Sequence, residues 1–201
     1  MKTARIAVLV SGGGTNLGAL IKAEREGKLK SGKIELVISN KADAYALQRA
    51  ANAGIPTATV LKKECLTQEV FEDRIMALLS ENKIDLIVLA GFMAILSERF
   101  TSAYPERIIN VHPSLIPSFC GKGFYGLRVH EEVLKRGCKV TGATTHLVTA
   151  GVDEGPILLQ KAVDVLPGDT PEILQKRVME QAEWLLLPRA VKMLSEEIEK
   201  C

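Results

Sequence analysis

Ala4-Arg5-Ile6-Ala7-Val8-Leu9-Val10-Ser11-Gly12-Gly13-Gly14-Thr15-Asn16 is an apolar run that passes through three glycines into a segment of helical spacing at 16–26. The run is too short for the core of a secretory signal and no cleavage site of small residues follows, so it reads as a first buried strand. Similar stretches, rich in Val, Ile and Leu, recur at 34–39, 57–60, 84–90 and 107–111. Between them, 43–53, 69–82 and 95–103 show helical spacing with charged outer faces. Wholly apolar strands alternating with helices predict a parallel sheet covered on both faces. After residue 111 the pattern changes to a long loop reaching about Tyr125, a helix at 127–136, and strands at 139–148 and 156–165 with no helix between them. Asp169 or Thr170 caps a final helix that runs to the C-terminus. The expected class is α/β: a Rossmann-like, mostly parallel sheet with helices on both faces and an antiparallel C-terminal edge. Ligands of such sheets bind beyond the carboxyl ends of the strands, so the loops after Val10, Asn40, Ala90 and Asn110 should share one crevice.

The 201 residues suffice for one domain, expected over 1–201. A net charge of +2 and only 4% aromatic residues argue against a nucleic-acid surface. Cys65, Cys120, Cys138 and Cys201 are scattered without a C-x-x-C pair, as in a reduced cytosolic protein. No apolar stretch is long enough to span a bilayer. A cytoplasmic location follows, with small-molecule ligands, no nucleic-acid or membrane partner, and a monomer or homodimer.

Two segments carry chemistry. The glycine loop lets the backbone approach an anion at a helix start, where N–H groups are free; its plain alternative is a tight strand-to-helix turn. No Gly-Lys-Ser/Thr follows, the third glycine of a dinucleotide fingerprint falls on Leu17, and the second strand ends Ser39-Asn40 without an acidic residue. A small phosphorylated metabolite fits better than NAD. The second segment is Asn110-Val111-His112-Pro113-Ser114-Leu115-Ile116-Pro117, at the end of a strand. Asn110 and His112 point the same way, and the prolines keep the exit from turning helical. An imidazole moves protons and a carboxamide holds a carbonyl oxygen, which together suit acyl chemistry. Asp153, in Gly151-Val152-Asp153-Glu154-Gly155-Pro156, is the candidate carboxylate for His112, and serves equally well as a turn residue. His146 reads as structural and His130 as a surface residue.

Asn110-x-His112-Pro113-Ser114-Leu115-Ile116-Pro117 followed by Gly151-x-Asp153-x-Gly155-Pro156-Ile157 resembles the signature of the folate-dependent formyltransferases. Ser11-Gly12-Gly13-Gly14-Thr15-Asn16, Ser39-Asn40-Lys41-Ala42-Asp43-Ala44, Leu89-Ala90-Gly91-Phe92-Met93 and Gly168-Asp169-Thr170 extend the resemblance over essentially the whole chain, toward members that act on glycinamide ribonucleotide. It implies the formyltransferase fold, with the ribonucleotide phosphate held by the N-terminal half and catalysis and folate in the C-terminal half. The implied reaction moves a formyl group from the co-substrate 10-formyltetrahydrofolate to the substrate amine, without a metal. It further implies that Asn110 holds the formyl oxygen, that His112 donates a proton and that Asp153 keeps His112 protonated. Gly14, Thr15, Asn16 and Glu183 would meet the ribonucleotide, and Gln68, Met93, Ala94, Ile95, Leu96 and Asn110 the folate. Three features depart from many relatives: Ala94 and Gln68 stand where arginines are common, Trp184 where a histidine is common, and 118–126 is longer than in some.

Other family members share the catalytic set. Methionyl-tRNA formyltransferases are expected to carry a further C-terminal domain, and formyltetrahydrofolate hydrolases an N-terminal regulatory one. Sugar-nucleotide formyltransferases would leave the phosphate loop unexplained. A noncatalytic phosphate-metabolite binder conflicts with the Asn110, His112 and Asp153 set, and a metal hydrolase with the lack of paired ligand spacing.

Overall fold

The computed structural model describes residues 3–200, so Cys201 lies outside the described residues. A seven-stranded sheet runs in the order β3-β2-β1-β4-β5-β6-β7. Its strands are β1 Ala4–Val10, β2 Gly32–Ser39, β3 Thr57–Thr59, β4 Leu86–Leu89, β5 Ile108–His112, β6 Val140–Leu147 and β7 Ile157–Asp164. From β3 to β5 the neighbours are parallel, and β6 and β7 are antiparallel, as the change of pattern after residue 111 predicts. The alternation of β1 divides the core: Ile6, Val8 and Val10 face one cluster, Ala7 and Leu9 the other.

Against the first face lie α1 (Thr15–Arg25), α2 (Tyr45–Asn52) and α7 (Trp184–Lys200), which contribute Leu17, Leu20, Ala46, Ala50, Leu187 and Val191. The second face is covered by α3 (Gln68–Glu81) and α4 (Glu98–Ala103) through Phe71, Ile75, Leu79 and Phe100. A smaller cluster joins α5 (Leu127–Lys135) and α6 (Pro171–Val178) to β6 and β7 through Val133, Ala143, Val163 and Leu174. No described helix is long and apolar enough to cross a membrane.

Two helices differ from the spacing. The expected helix at 95–103 begins only at Glu98, because the Ser97 hydroxyl caps it by accepting from Phe100 N. The final helix is continuous from Pro171 to Lys200 but locally widened. Thr170, not Asp169, caps α6, while Asp169 forms a bidentate pair with Arg177. Between α6 and α7, Met179–Glu183 widens into a π turn, just upstream of Pro188, which has no N–H to give to the turn before it. Ala182 and Glu183 are both buried in that turn.

Candidate active site

The loops after β1, β2, β4 and β5 open onto one cleft of about 760 Å³, the shared crevice expected from the topology. At its β1 side, Gly14 takes a left-handed φ of 68° and abuts α2 so closely that a Cβ would lie 2.6 Å from that of Ala46. Ala46 N and Arg49 Nε donate to the carbonyls of Gly12 and Gly13 at 3.0 and 2.8 Å, so α2 grips the glycine loop from behind. The start of α1 has neither a side-chain cap nor an acidic residue in its first turn, which leaves a positive helix end facing the cleft through Thr15 and Asn16.

Asn16 reaches Glu183 across the fold. Its Nδ2 donates to Glu183 Oε2 at 2.7 Å, while its buried Oδ1 has no hydrogen-bond partner among the described residues. Burial, opposed by that one hydrogen bond, pushes the Glu183 carboxyl up to about 7. Because the folded state binds this proton more tightly than the unfolded chain, ionisation costs stability as pH rises from about 4.5 through about 7. Glu183→Gln should therefore gain stability relative to the parent, by up to about 3 kcal/mol, between about pH 4 and pH 8 in denaturant titrations. A difference that does not change with pH would mean that Glu183 titrates like an exposed carboxylate.

The floor of the cleft is the end of β5. Asn110 and His112 share one face and lie opposite His146 and Thr144 of β6. The Thr144 hydroxyl donates to Ser114 O at 2.7 Å and accepts from Ile116 N at 3.1 Å, which pins the proline-bearing exit beside His112. Asp153 arrives from the β6–β7 loop in a left-handed conformation, φ 59°, that Asp tolerates better than most residues. Gly155 lets this loop pass against the Leu147 carbonyl, where a Cβ would collide.

Asp153 is the hub. Its Oδ2 accepts from Gly121 N at 3.0 Å and lies 3.4 Å from His112 Nδ1. Its Oδ1 lies 3.4 Å from Asn110 Nδ2 and 3.5 Å from His146 Nε2. The other nitrogen of His112, Nε2, is 2.8 Å from Phe119 O. Both ring nitrogens thus face oxygen acceptors, and a neutral ring must turn one lone pair toward an oxygen. Burial nevertheless outweighs the attraction of Asp153 and of the Phe119 carbonyl, so His112 sits below the ordinary imidazole range. Burial also pushes Asp153 up, but His146, His112 and the Gly121 amide together hold its carboxyl below the usual carboxylate range.

The candidate residues are not all placed alike. Met93, Ala94, Ile95 and Leu96 line the cleft, as do Thr15, Asn16, Asn110, His112, Asp153 and Glu183. Gly14 and Gln68 stand behind the lining, Gly14 under α2 and Gln68 on α3, where its Nε2 donates to Ile95 O at 3.1 Å. His130 is not a surface residue. It is 0% exposed, on the inner face of α5 with Val129 and Val133, and burial, helped by nearby His112, pushes it down to about 4. The reading of His146 as structural missed its contacts with Asp153 and Asn110. Pairing of Asn110 with His146 across an antiparallel β5–β6 ladder was the signal that could have found them. Lys41 and Lys122 also line the cleft and complete its described cations.

The Formyl transferase family model matches residues 4–191 of the chain. The phosphoribosylglycinamide formyltransferase of Haemophilus influenzae is 41% identical over 192 residues, covering 96% of this chain and 87% of that protein. The trifunctional purine biosynthetic protein adenosine-3 of Homo sapiens is 44% identical over 194 residues; the match takes in 96% of this chain but spans only 18% of that relative. Among solved structures, glycinamide ribonucleotide transformylase 1 from Symbiobacterium toebii superimposes with a TM-score of 0.90 at 42% identity, covering 97% of this chain and 89% of that one.

Proposed function

The chain belongs to the formyl transferase family, among the phosphoribosylglycinamide formyltransferases, and on that premise we propose that its cleft transfers the formyl group of 10-formyltetrahydrofolate to the amine of glycinamide ribonucleotide. The product serves purine biosynthesis, in the cytoplasm. The observation that carries this reading is the convergence of Asn110, His112 and His146 on the buried Asp153 carboxylate.

The substrate amine is itself the nucleophile, so no covalent enzyme intermediate is needed. Its nitrogen bonds to the formyl carbon, the bond from that carbon to folate N10 breaks, and one proton passes from the amine to N10. Asn110 Nδ2 meets the oxygen on which negative charge develops. Its two contacts, at 3.2 Å to His146 Nε2 and 3.4 Å to Asp153 Oδ1, are long enough for the formyl oxygen to compete. His112 Nε2 is the nitrogen that serves the reacting atoms once substrate takes the place of the Phe119 carbonyl, and Asp153 stabilises the imidazolium against the cost of burial. The developing oxyanion favours the charged ring further, so His112 carries its proton when the tetrahedral species forms.

The uncapped start of α1 suits the ribonucleotide phosphate, with Lys41 supplying charge. Asn16 Oδ1 and the Glu183 carboxyl are acceptors suited to sugar hydroxyls. The folate lies against 93–96, where Met93 and Ile95 are exposed apolar side chains.

Mixing the protein with 10-formyltetrahydrofolate, with and without glycinamide ribonucleotide, tests the assignment. Deformylation should require the ribonucleotide and be stoichiometric with its formylation. Deformylation without it would make the chain a hydrolase, and no deformylation in either mixture would remove the donor or the acceptor from the proposal.

A further inference from the structure

Glu72 of α3 is 0% exposed, yet its hydrogen bonds come from uncharged donors: Ser97 N at 2.7 Å and Gln68 Nε2 at 2.7 Å to Oε1, and the Ser97 hydroxyl to Oε2. A carboxylate this deeply buried holds its donors firmly, because releasing one leaves a charge that is partly unsatisfied away from water. All three donors act on the loop between β4 and α4. Ser97 is held directly, and Ile95 is held through Gln68, whose Nε2 also donates to Ile95 O. At the other end of the loop, Ser11 Oγ accepts from Met93 N at 2.8 Å. The loop is thereby fastened at 93, 95 and 97, with Met93 and Ile95 left 48% and 59% exposed at the cleft. Residues 95–97 have helical spacing, yet α4 starts only at Glu98, capped by the Ser97 hydroxyl that also donates to Glu72.

We propose that Glu72 is a positioning residue for the formyl donor: from behind the cleft it sets the conformation of loop 91–97 and so the wall on which the folate lies. This rests on the reading of that wall given above. It also accounts for Gln68, whose amide is spent on Glu72 and Ile95 rather than turned toward the cleft.

The test compares Glu72→Ala, Glu72→Gln and Ser97→Ala with the parent protein. Glu72→Ala should raise KM for 10-formyltetrahydrofolate about tenfold, with kcat and the KM for glycinamide ribonucleotide kept within about twofold. Glu72→Gln keeps an acceptor for Ser97 N and should recover most of the loss, while Ser97→Ala removes one donor and should give a smaller rise. Amide hydrogen exchange over 91–97, measured without folate, should quicken in the same order. A folded Glu72→Ala protein with a lower melting temperature, but parental donor KM and parental exchange over 91–97, would overturn the proposal. If Glu72→Ala does not fold, Ser97→Ala decides by the same two readouts. Quickened exchange in a protein whose parent does not deformylate the folate would uphold the clasp and sink the functional reading instead.

Discussion

Replacing His112 by alanine is expected to lower kcat for formyl transfer by about 10²- to 10⁴-fold while changing KM for the ribonucleotide by no more than about twofold. The expectation follows from position. His112 lies on the cleft floor with the Asp153 carboxylate beside Nδ1 and the Phe119 carbonyl beside Nε2, the nitrogen assigned above to the reacting atoms. Binding of the ribonucleotide is assigned to the other end of the cleft, at Thr15, Asn16 and Glu183, so only the step that moves the proton should suffer. A steady-state comparison with both substrates varied measures the split. A variant within tenfold of the parent kcat would make His112 a packing residue that closes the floor.

Asp153→Asn is expected to lower kcat by about 10²-fold or more, again with ribonucleotide affinity near the parental value. An amide has one acceptor where the carboxylate has two. If its nitrogen occupies the Oδ2 position, it confronts the Gly121 N–H; at the Oδ1 position it confronts the Asn110 amide. Either orientation sets donor against donor and removes the charge that favours the His112 imidazolium. Isothermal titration with the ribonucleotide, set beside turnover, separates the outcomes. Equal losses in both would make Asp153 a turn residue that organises 118–126 and 151–155 without a part in the chemistry.

The parallel half of the sheet was legible because strands such as Ile6–Val10 are buried on both faces and contain no polar interruption. The antiparallel edge was legible because no helix separates 139–148 from 156–165. Helix boundaries were harder where a distant side chain decides them. Leu96 and Ser97 have helical spacing, but the Ser97 hydroxyl caps the helix that follows, and Glu72, 25 positions earlier in the chain, accepts from the Ser97 N–H. The π turn at Met179–Glu183 had no local signature beyond Pro188 downstream. Within the site, Asn110, His112 and Asp153 were readable from residue type and motif. His146 needed the β5–β6 register, which pairs it with Asn110, and short-range pattern does not contain a register. His130 was misread because its helix has a charged outer face, and the side of a single imidazole on an amphipathic helix follows from what packs on it.

The contact between Asn16 and Glu183 joins residues 167 positions apart. During synthesis the glycine loop emerges early, but the carboxyl group that completes its acceptor set follows only after every strand of the sheet has been made. A nascent chain therefore passes through most of its translation without the finished Asn16–Glu183 contact. Closing so long a loop is slow relative to local folding. A ligand that bound both residues would favour the closed molecule over any partly assembled one by mass action. On the proposed function that ligand is the substrate, which would then act as a late chaperone for its own enzyme.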